Sequence, residues 1–204
     1  MTTKSAAPLR LYLIRHGETE WSVSGQHTGR TDIPLTTRGE EQAATLSPYL
    51  KNIAFSQVLT SPLRRAQQTC ELAGLGAAAA IHADLAEWDY GDYEGLRSAD
   101  IRKQRDNWNI FRDGCPQGEM PAQVGERADR FIAQLRDRGG NIALFSHGHF
   151  SCVLAARWIG LPVLDAQHWV LSTATVSVLT YNAHHPEIAV IESWNVSPAQ
   201  YALN

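Results

Sequence analysis

An α/β fold with a mainly parallel sheet, covered by helices on both faces, is predicted from three observations. Short apolar runs that read as strands alternate along the chain with segments of helical periodicity. No linker, charge block or internal repeat divides the 204 residues, and 44% apolar content supplies core enough for one substantial domain. Three of the expected strands run into polar residues, at Arg15-His16-Gly17, at Ser61-Pro62 with Arg64-Arg65, and at Ser146-His147-Gly148.

Taken in order, residues 9–14 are a short run with aromatic and β-branched members, which reads as a buried strand. From 17 to 35 the periodicity vanishes into a Gly- and Thr-rich stretch expected to be a functional loop. Thr36 or Thr37 would cap a helix reaching about Tyr49, and Thr37 with Glu40 has capping-box spacing. A second strand is expected over 55–60, a helix over 63–73 and a weak strand over 81–85. Residues 121–138 form the clearest helix, with Val124, Ala128, Phe131, Ile132 and Leu135 on one face, Pro121 in its first turn and Gly139 at its stop. A third buried strand follows at 141–145, a helix at about 150–158, and two closing strands at 175–181 and 188–194. In a parallel sheet of this kind the chemistry sits where strands end, so the three polar clusters should converge.

Composition narrows the partners. Eighteen Lys and Arg against 21 Asp and Glu, with only three lysines, exclude a basic field for nucleic acid. No 18-residue apolar window suggests a membrane span, and no signal-peptide pattern opens the chain, so a cytoplasmic protein is expected. Cys70, Cys115 and Cys152 are odd in number and lack CxxC spacing, which argues against a disulfide framework or a zinc ribbon and for buried thiols. Whether the chain forms a homo-oligomer stays open.

Two histidines and two arginines gathered at neighbouring strand ends suit an oxyanion with several negative oxygens, and phosphate is the natural guest. His16, with Gly17 behind it, has room to accept a phosphoryl group on a neutral imidazole. His147 would bond the equatorial oxygens, with Arg15 and Arg65 completing a cationic cage. A departing alkoxide needs a proton. Glu87, with bulky apolar flanks favouring its protonated form, fits that task, although spacing alone does not separate it from Asp92 or Glu94. The remaining histidines, His82, His168, His184 and His185, read as structural or surface groups. No Walker loop, GxGxxG, cysteine-phosphatase loop or HExxH occurs, and His147-Gly148-His149 lacks the partners of a metal site, so neither metal nor cofactor is expected.

The run from Leu13 to Trp21, then Thr28-Gly29, Ser61-Pro62-Leu63-Arg64-Arg65, Glu87, Glu94-Gly95 and Ser146-His147-Gly148, resembles the histidine phosphatase superfamily, which includes the phosphoglycerate mutases. The resemblance implies a three-layer α/β/α sandwich spanning 1–204, with residues of about 88–120 as a partly helical lid. It implies that His16 is the phosphorylated nucleophile, that Arg15, Arg65 and His147 form the phosphate pocket, and that Glu87 rather than Glu94 is the proton donor. Ser22 stands where many members carry Asn, and its hydroxyl would donate one bond in place of the amide. A finer similarity, through Glu87-Trp88, Tyr90 to Gly95 and Trp108 to Cys115, is to the sedoheptulose-1,7-bisphosphatase branch. It implies a sugar phosphate or bisphosphate substrate, with Ser22, Thr28, Gly29 and Gly148 among the residues expected to bind it. On physical grounds Trp88, Tyr93 and Trp108 suit apolar walls for a sugar, and Arg112 suits a distal phosphate. The same aromatics also fit the interior of a lid. Two rivals stand beside the phosphatase: a mutase, which would retain the phosphoryl group, and a non-catalytic phospholigand-binding module.

Overall fold

A computed structural model describes residues 8–198, so the first seven and last six residues of the expected domain lie outside the described residues. Its strands are β1 (Arg10–Arg15), β2 (Phe55–Thr60), β3 (Ala79–Ile81), β4 (Asn141–Ser146), β5 (Val176–Tyr181) and β6 (Ala189–Val196). They form one sheet in the order β3-β2-β4-β1-β5-β6. Neighbours from β3 to β1 pair in parallel, and β5 pairs antiparallel with both β1 and β6. This single α/β domain has the mainly parallel sheet that the alternation of elements predicts.

Central strands covered on both faces read as continuous apolar runs rather than alternating ones, and β1 and β4 show why. Leu11 and Leu13 of β1, with Ile142 and Leu144 of β4, enter one core beneath helices α7 (Pro121–Leu135) and α8 (Gly148–Trp158). Tyr12, Ile14, Ala143 and Phe145 enter the opposite core. That second core lies against helices α2 (Thr37–Ala44), α3 (Ser47–Leu50) and α4 (Arg64–Leu72) through Ala43's neighbour Leu46, Leu50 and Cys70. The remaining short helices are α1 (Glu20–Ser24), α5 (Ser98–Arg102) and α6 (Ile110–Asp113). All three cysteines are free and buried, as expected of apolar thiols.

Four local expectations change. The helix expected from Thr36 or Thr37 to Tyr49 breaks after Ala44, because Pro48 cannot donate its backbone N–H and instead seats in the first turn of α3. Its cap is Thr36, whose side chain accepts from the Gly39 N–H at 3.0 Å, so the Thr37–Glu40 pair is not a capping box. The weak strand at 81–85 is the three-residue β3 followed by a 3₁₀ turn at Ala83–Leu85. The stretch 17–35 contains α1, where Thr19 and Ser22 cap each other reciprocally.

Thr36→Ala should lower the unfolding free energy by about 1 kcal/mol, while Thr37→Ala leaves it within about half that value; paired urea titrations compare the two.

Candidate functional site

Parallel pairing aligns the ends of three strands. Arg15 sits opposite Ser146 in the β1–β4 register, the His16 N–H bonds the Ser146 carbonyl at 3.0 Å, and the Ser61 N–H bonds Phe145 at 2.9 Å. His16, Ser61 and His147 therefore emerge side by side, and the rings of His16 and His147 lie 5.2 Å apart. His16, with Arg15 and Gly148, lines a cleft of about 410 Å³, while Ser61 and His147 lie buried behind it.

His16 leaves β1 into a turn packed too closely for side chains. A Cβ on Gly17 would lie 2.3 Å from the Gly39 carbonyl oxygen, so glycine is required there. The Gly17 N–H bonds the Thr69 hydroxyl at 3.0 Å, tying the turn to α4. His16 Nδ1 lies 2.7 Å from the Gly17 carbonyl. A carbonyl only accepts, so Nδ1 carries the proton and Nε2 holds the free lone pair. Burial, followed by the Arg65 and Arg15 charges, keeps this imidazole neutral far below the usual histidine range.

Arg65 has no accessible surface. Its Nε donates to His147 Nδ1 at 3.2 Å, Nη1 to the Thr31 carbonyl at 3.1 Å, and Nη2 to the Thr28 and Gly29 carbonyls at 2.9 and 3.0 Å. His147 consequently carries its proton on Nε2 and donates to Ser61 Oγ at 2.7 Å. Burial and the Arg65 charge hold His147 neutral as well. Arg15 differs: Nη1 donates to the Leu171 carbonyl, while its buried Nε has no partner among the described residues. A Cβ on Gly148 would come 3.5 Å from the Arg15 guanidinium, so Gly148 keeps the approach to it open.

Glu87 faces the cleft from the other side. Its Oε1 accepts from the Trp88 and Phe150 N–H groups at 2.9 and 2.8 Å, and Oε2 from the His149 N–H at 3.1 Å. The carboxyl is thus seated on the first turn of α8, whose N–H groups have no partner within the helix. Its rivals stand elsewhere. Glu94 receives the Gly29 and Thr31 N–H groups and braces that loop, and Asp92 is exposed.

Several expected substrate contacts are placed differently. Trp88 and Trp108 are fully buried, with indole N–H groups spent on the Glu119 and Gly114 carbonyls, and Tyr93 packs edge-on against Trp108. They form the interior of segment 88–120 and do not line the cleft, because apolar rings this large gain more from mutual burial than from facing water. Arg112 is exposed and paired with Asp113 and the Asn107 carbonyl, away from the cleft. Ser22 does line it, yet its hydroxyl donates to the Thr19 carbonyl at 2.9 Å rather than into the cavity. Thr28 lines the cleft, whereas Gly29 lies behind it as an acceptor for Arg65.

Sequence reading missed a ring cluster beside Glu87. His27 stacks on Tyr90 with centroids 4.6 Å apart, the Tyr90 hydroxyl lies 2.6 Å from His149 Nδ1, and Phe111 meets His149 edge-on at 5.3 Å. His27 sits in an aperiodic loop and gives no signal. His149 gives one, since it falls on the first turn of a helix opening at a candidate catalytic strand end. Arg127 was also missed: it donates to the Asp84, Ala86 and Glu87 carbonyls and pairs with Glu119 at 2.8 Å, fixing the backbone that carries Glu87.

The family model for the histidine phosphatase superfamily (branch 1) matches residues 11–195. An acid phosphatase of Mycobacterium tuberculosis is 40% identical over 186 residues, covering 89% of this chain and 91% of the relative. The sedoheptulose 1,7-bisphosphatase of Saccharomyces cerevisiae is 38% identical, covering 76% of this chain and 69% of that protein. A solved structure of an open reading frame product from Mycobacterium tuberculosis superposes with a TM-score of 0.87 at 36% identity, over 93% of this chain and 98% of that one.

Buried neutral histidines make the fold sensitive to acid. Burial lowers His27 to about 3 and His149 to about 4, from a usual 6.5. Below pH 6.5 the unfolded chain takes up protons that the folded chain refuses, so stability is full above that pH and falls as pH drops toward 4. Each such group adds up to about 1.4 kcal/mol of loss per pH unit. Urea midpoints measured from pH 7.5 to 4.5 should fall steeply for the native chain and less steeply for His27→Gln.

Proposed function

The chain belongs to the histidine phosphatase superfamily and is a phosphoric monoester hydrolase, and we propose that it releases phosphate from a small-molecule monoester through a phosphohistidine formed on His16 Nε2. One observation carries this reading: the neutral imidazole presents an unshared pair on Nε2 beside an Arg15 Nε that is buried without a partner. An unpaired buried donor of this kind is costly unless an anion completes it. A phosphoryl group supplies the oxygens.

In the first transfer, His16 Nε2 bonds to phosphorus as the ester P–O bond breaks. Glu87, in its acid form, gives its proton to the departing oxygen. The Nδ1–H bond to Gly17 steadies the cationic ring that results, as Arg15 bonds the phosphoryl oxygens. The Nε2–H that Ser61 now accepts is the one His147 would offer an equatorial oxygen, and Arg65 keeps that ring in place. In the second transfer Glu87 removes a proton from water, the water oxygen bonds to phosphorus, and the P–N bond breaks to restore His16. Protein side chains supply every charge and proton, so the reading is of a metal-independent enzyme.

The names of the two relatives divide between an acid phosphatase and a sugar bisphosphatase, so sugar phosphates belong to the proposed substrate class. No helix among the described residues is long and apolar enough to cross a membrane, and the three free thiols support a reducing, cytoplasmic setting.

Reaction with a radiolabelled phosphoester, quenched in alkali where phosphohistidine survives, should place the label on His16. An active preparation that carries no label there refutes the intermediate. Glu87→Gln should cut kcat/KM, which reports the first transfer, on an alkyl ester by about 10²–10⁴ and on an aryl ester with an acidic phenol far less, because that leaving group departs without a proton. Equal losses on both esters would exclude Glu87 as the acid.

A further inference from the structure

Beyond the phosphoryl end, the cleft is walled by rings and neutral polar groups. Trp21, Trp169, Phe111 and His27 line it, together with Gln26 and Gln167. Among the described residues that line it, Arg15 is the one Lys or Arg, and it lies at the phosphoryl end. The arginine expected to meet a distal phosphate, Arg112, is committed to Asp113 outside the cleft.

Two features keep the outer wall uncharged. Both nitrogens of the wall's polar edge have internal partners, His27 Nε2 at 3.2 Å from the Ser98 hydroxyl and His149 Nδ1 at 2.6 Å from the Tyr90 hydroxyl. Burial also lowers the two histidines to about 3 and about 4, so neither offers a cation at neutral pH. An anion drawn into this part of the cleft would lose water without gaining a counter-charge. A flat uncharged body would instead exchange water for ring faces.

Resting on the phosphatase reading above, we infer that the preferred substrates are monophosphate esters of uncharged, ring-bearing alcohols, and that a second anionic group on the leaving alcohol is selected against. The sugar bisphosphate expected from the sequence resemblance is therefore the disfavoured member of its class, and the corresponding monophosphate ester of the ring-form sugar the favoured one.

Matched esters test this. Phenyl phosphate should be cleaved with a kcat/KM at least ~10-fold above that of its 4-carboxyphenyl analogue, and fructose 6-phosphate should exceed fructose 1,6-bisphosphate by a similar factor. Gln167→Lys, which adds a cation at the rim without touching the phosphoryl end, should narrow both gaps. Trp21→Ala should raise KM for phenyl phosphate several-fold and leave KM for glycerol phosphate unchanged. Charged members turned over as fast as, or faster than, neutral ones would overturn the inference while leaving the phosphatase reading standing. Equal KM changes for phenyl and glycerol phosphate in the Trp21 variant would remove the ring-bearing clause. No phosphate release from any ester would overturn the phosphatase reading and this inference with it.

Discussion

A guanidinium with no contact to water must have its donors met inside the protein, and Arg65 is such a group. Its hydrogen bonds reach two separate parts of the chain: the His147 ring at the end of β4, and the carbonyls of Thr28, Gly29 and Thr31 in the loop after α1. The helix that carries it also holds the turn after His16, through the Thr69 hydroxyl, which receives the Gly17 N–H and donates to the Arg65 carbonyl at 2.7 Å. One buried cation thus fixes the relative positions of His16, His147 and the loop. Its charge is also among the causes that keep both imidazoles unprotonated.

The two arginines of the site consequently divide their labour. Arg65 spends its donors on protein and contributes chiefly a field, whereas Arg15 retains an unmet donor for a ligand. Residue type could not have separated them, since both follow strands and both suit phosphate. The difference arises from position. Arg15 ends a central strand and lines the phosphoryl end of the cleft, and Arg65 is the second residue of a helix, its guanidinium closed off by the carbonyls of the 28–31 loop.

Where a local pattern had one physical solution, the sequence was a sufficient guide. The apolar runs of β1 and β4 had to be covered on both faces, and the periodic face of α7 had to find a core. The strand ends then followed, and with them His16 and His147. Side-chain direction in irregular segments was beyond it. Trp88 and Trp108 are as suited to a sugar-binding wall as to a core, and only tertiary packing turns them inward. For the same reason His27, Tyr90 and Phe111 gave no hint that they would meet beside Glu87. Thr36 and Thr37 are equivalent caps on paper; the Thr36 hydroxyl wins because it also donates to Glu18 at 2.9 Å, anchoring α2 to the turn after His16.

Glu87 and the cleft wall formed by Tyr90 and Phe111 share a support that His16 does not use. Glu119 accepts the Asp89 N–H through Oε2 and the Trp88 indole N–H through its carbonyl, and it pairs with Arg127, whose guanidinium grips the carbonyls on either side of Glu87. The excursion from Trp88 to Glu119 is therefore closed at its base by the same network that seats the acid. Inside it, Trp88 and Trp108 provide a rigid interior, while Tyr90 and Phe111 face the cleft. Replacing residues on that outer face would alter which alcohol fits without disturbing β1, β4 or Arg65. A fold organised in this way can keep one phosphoryl-transfer centre and exchange the group it is cleaved from, because the two halves meet at the scissile bond and are held by different arginines.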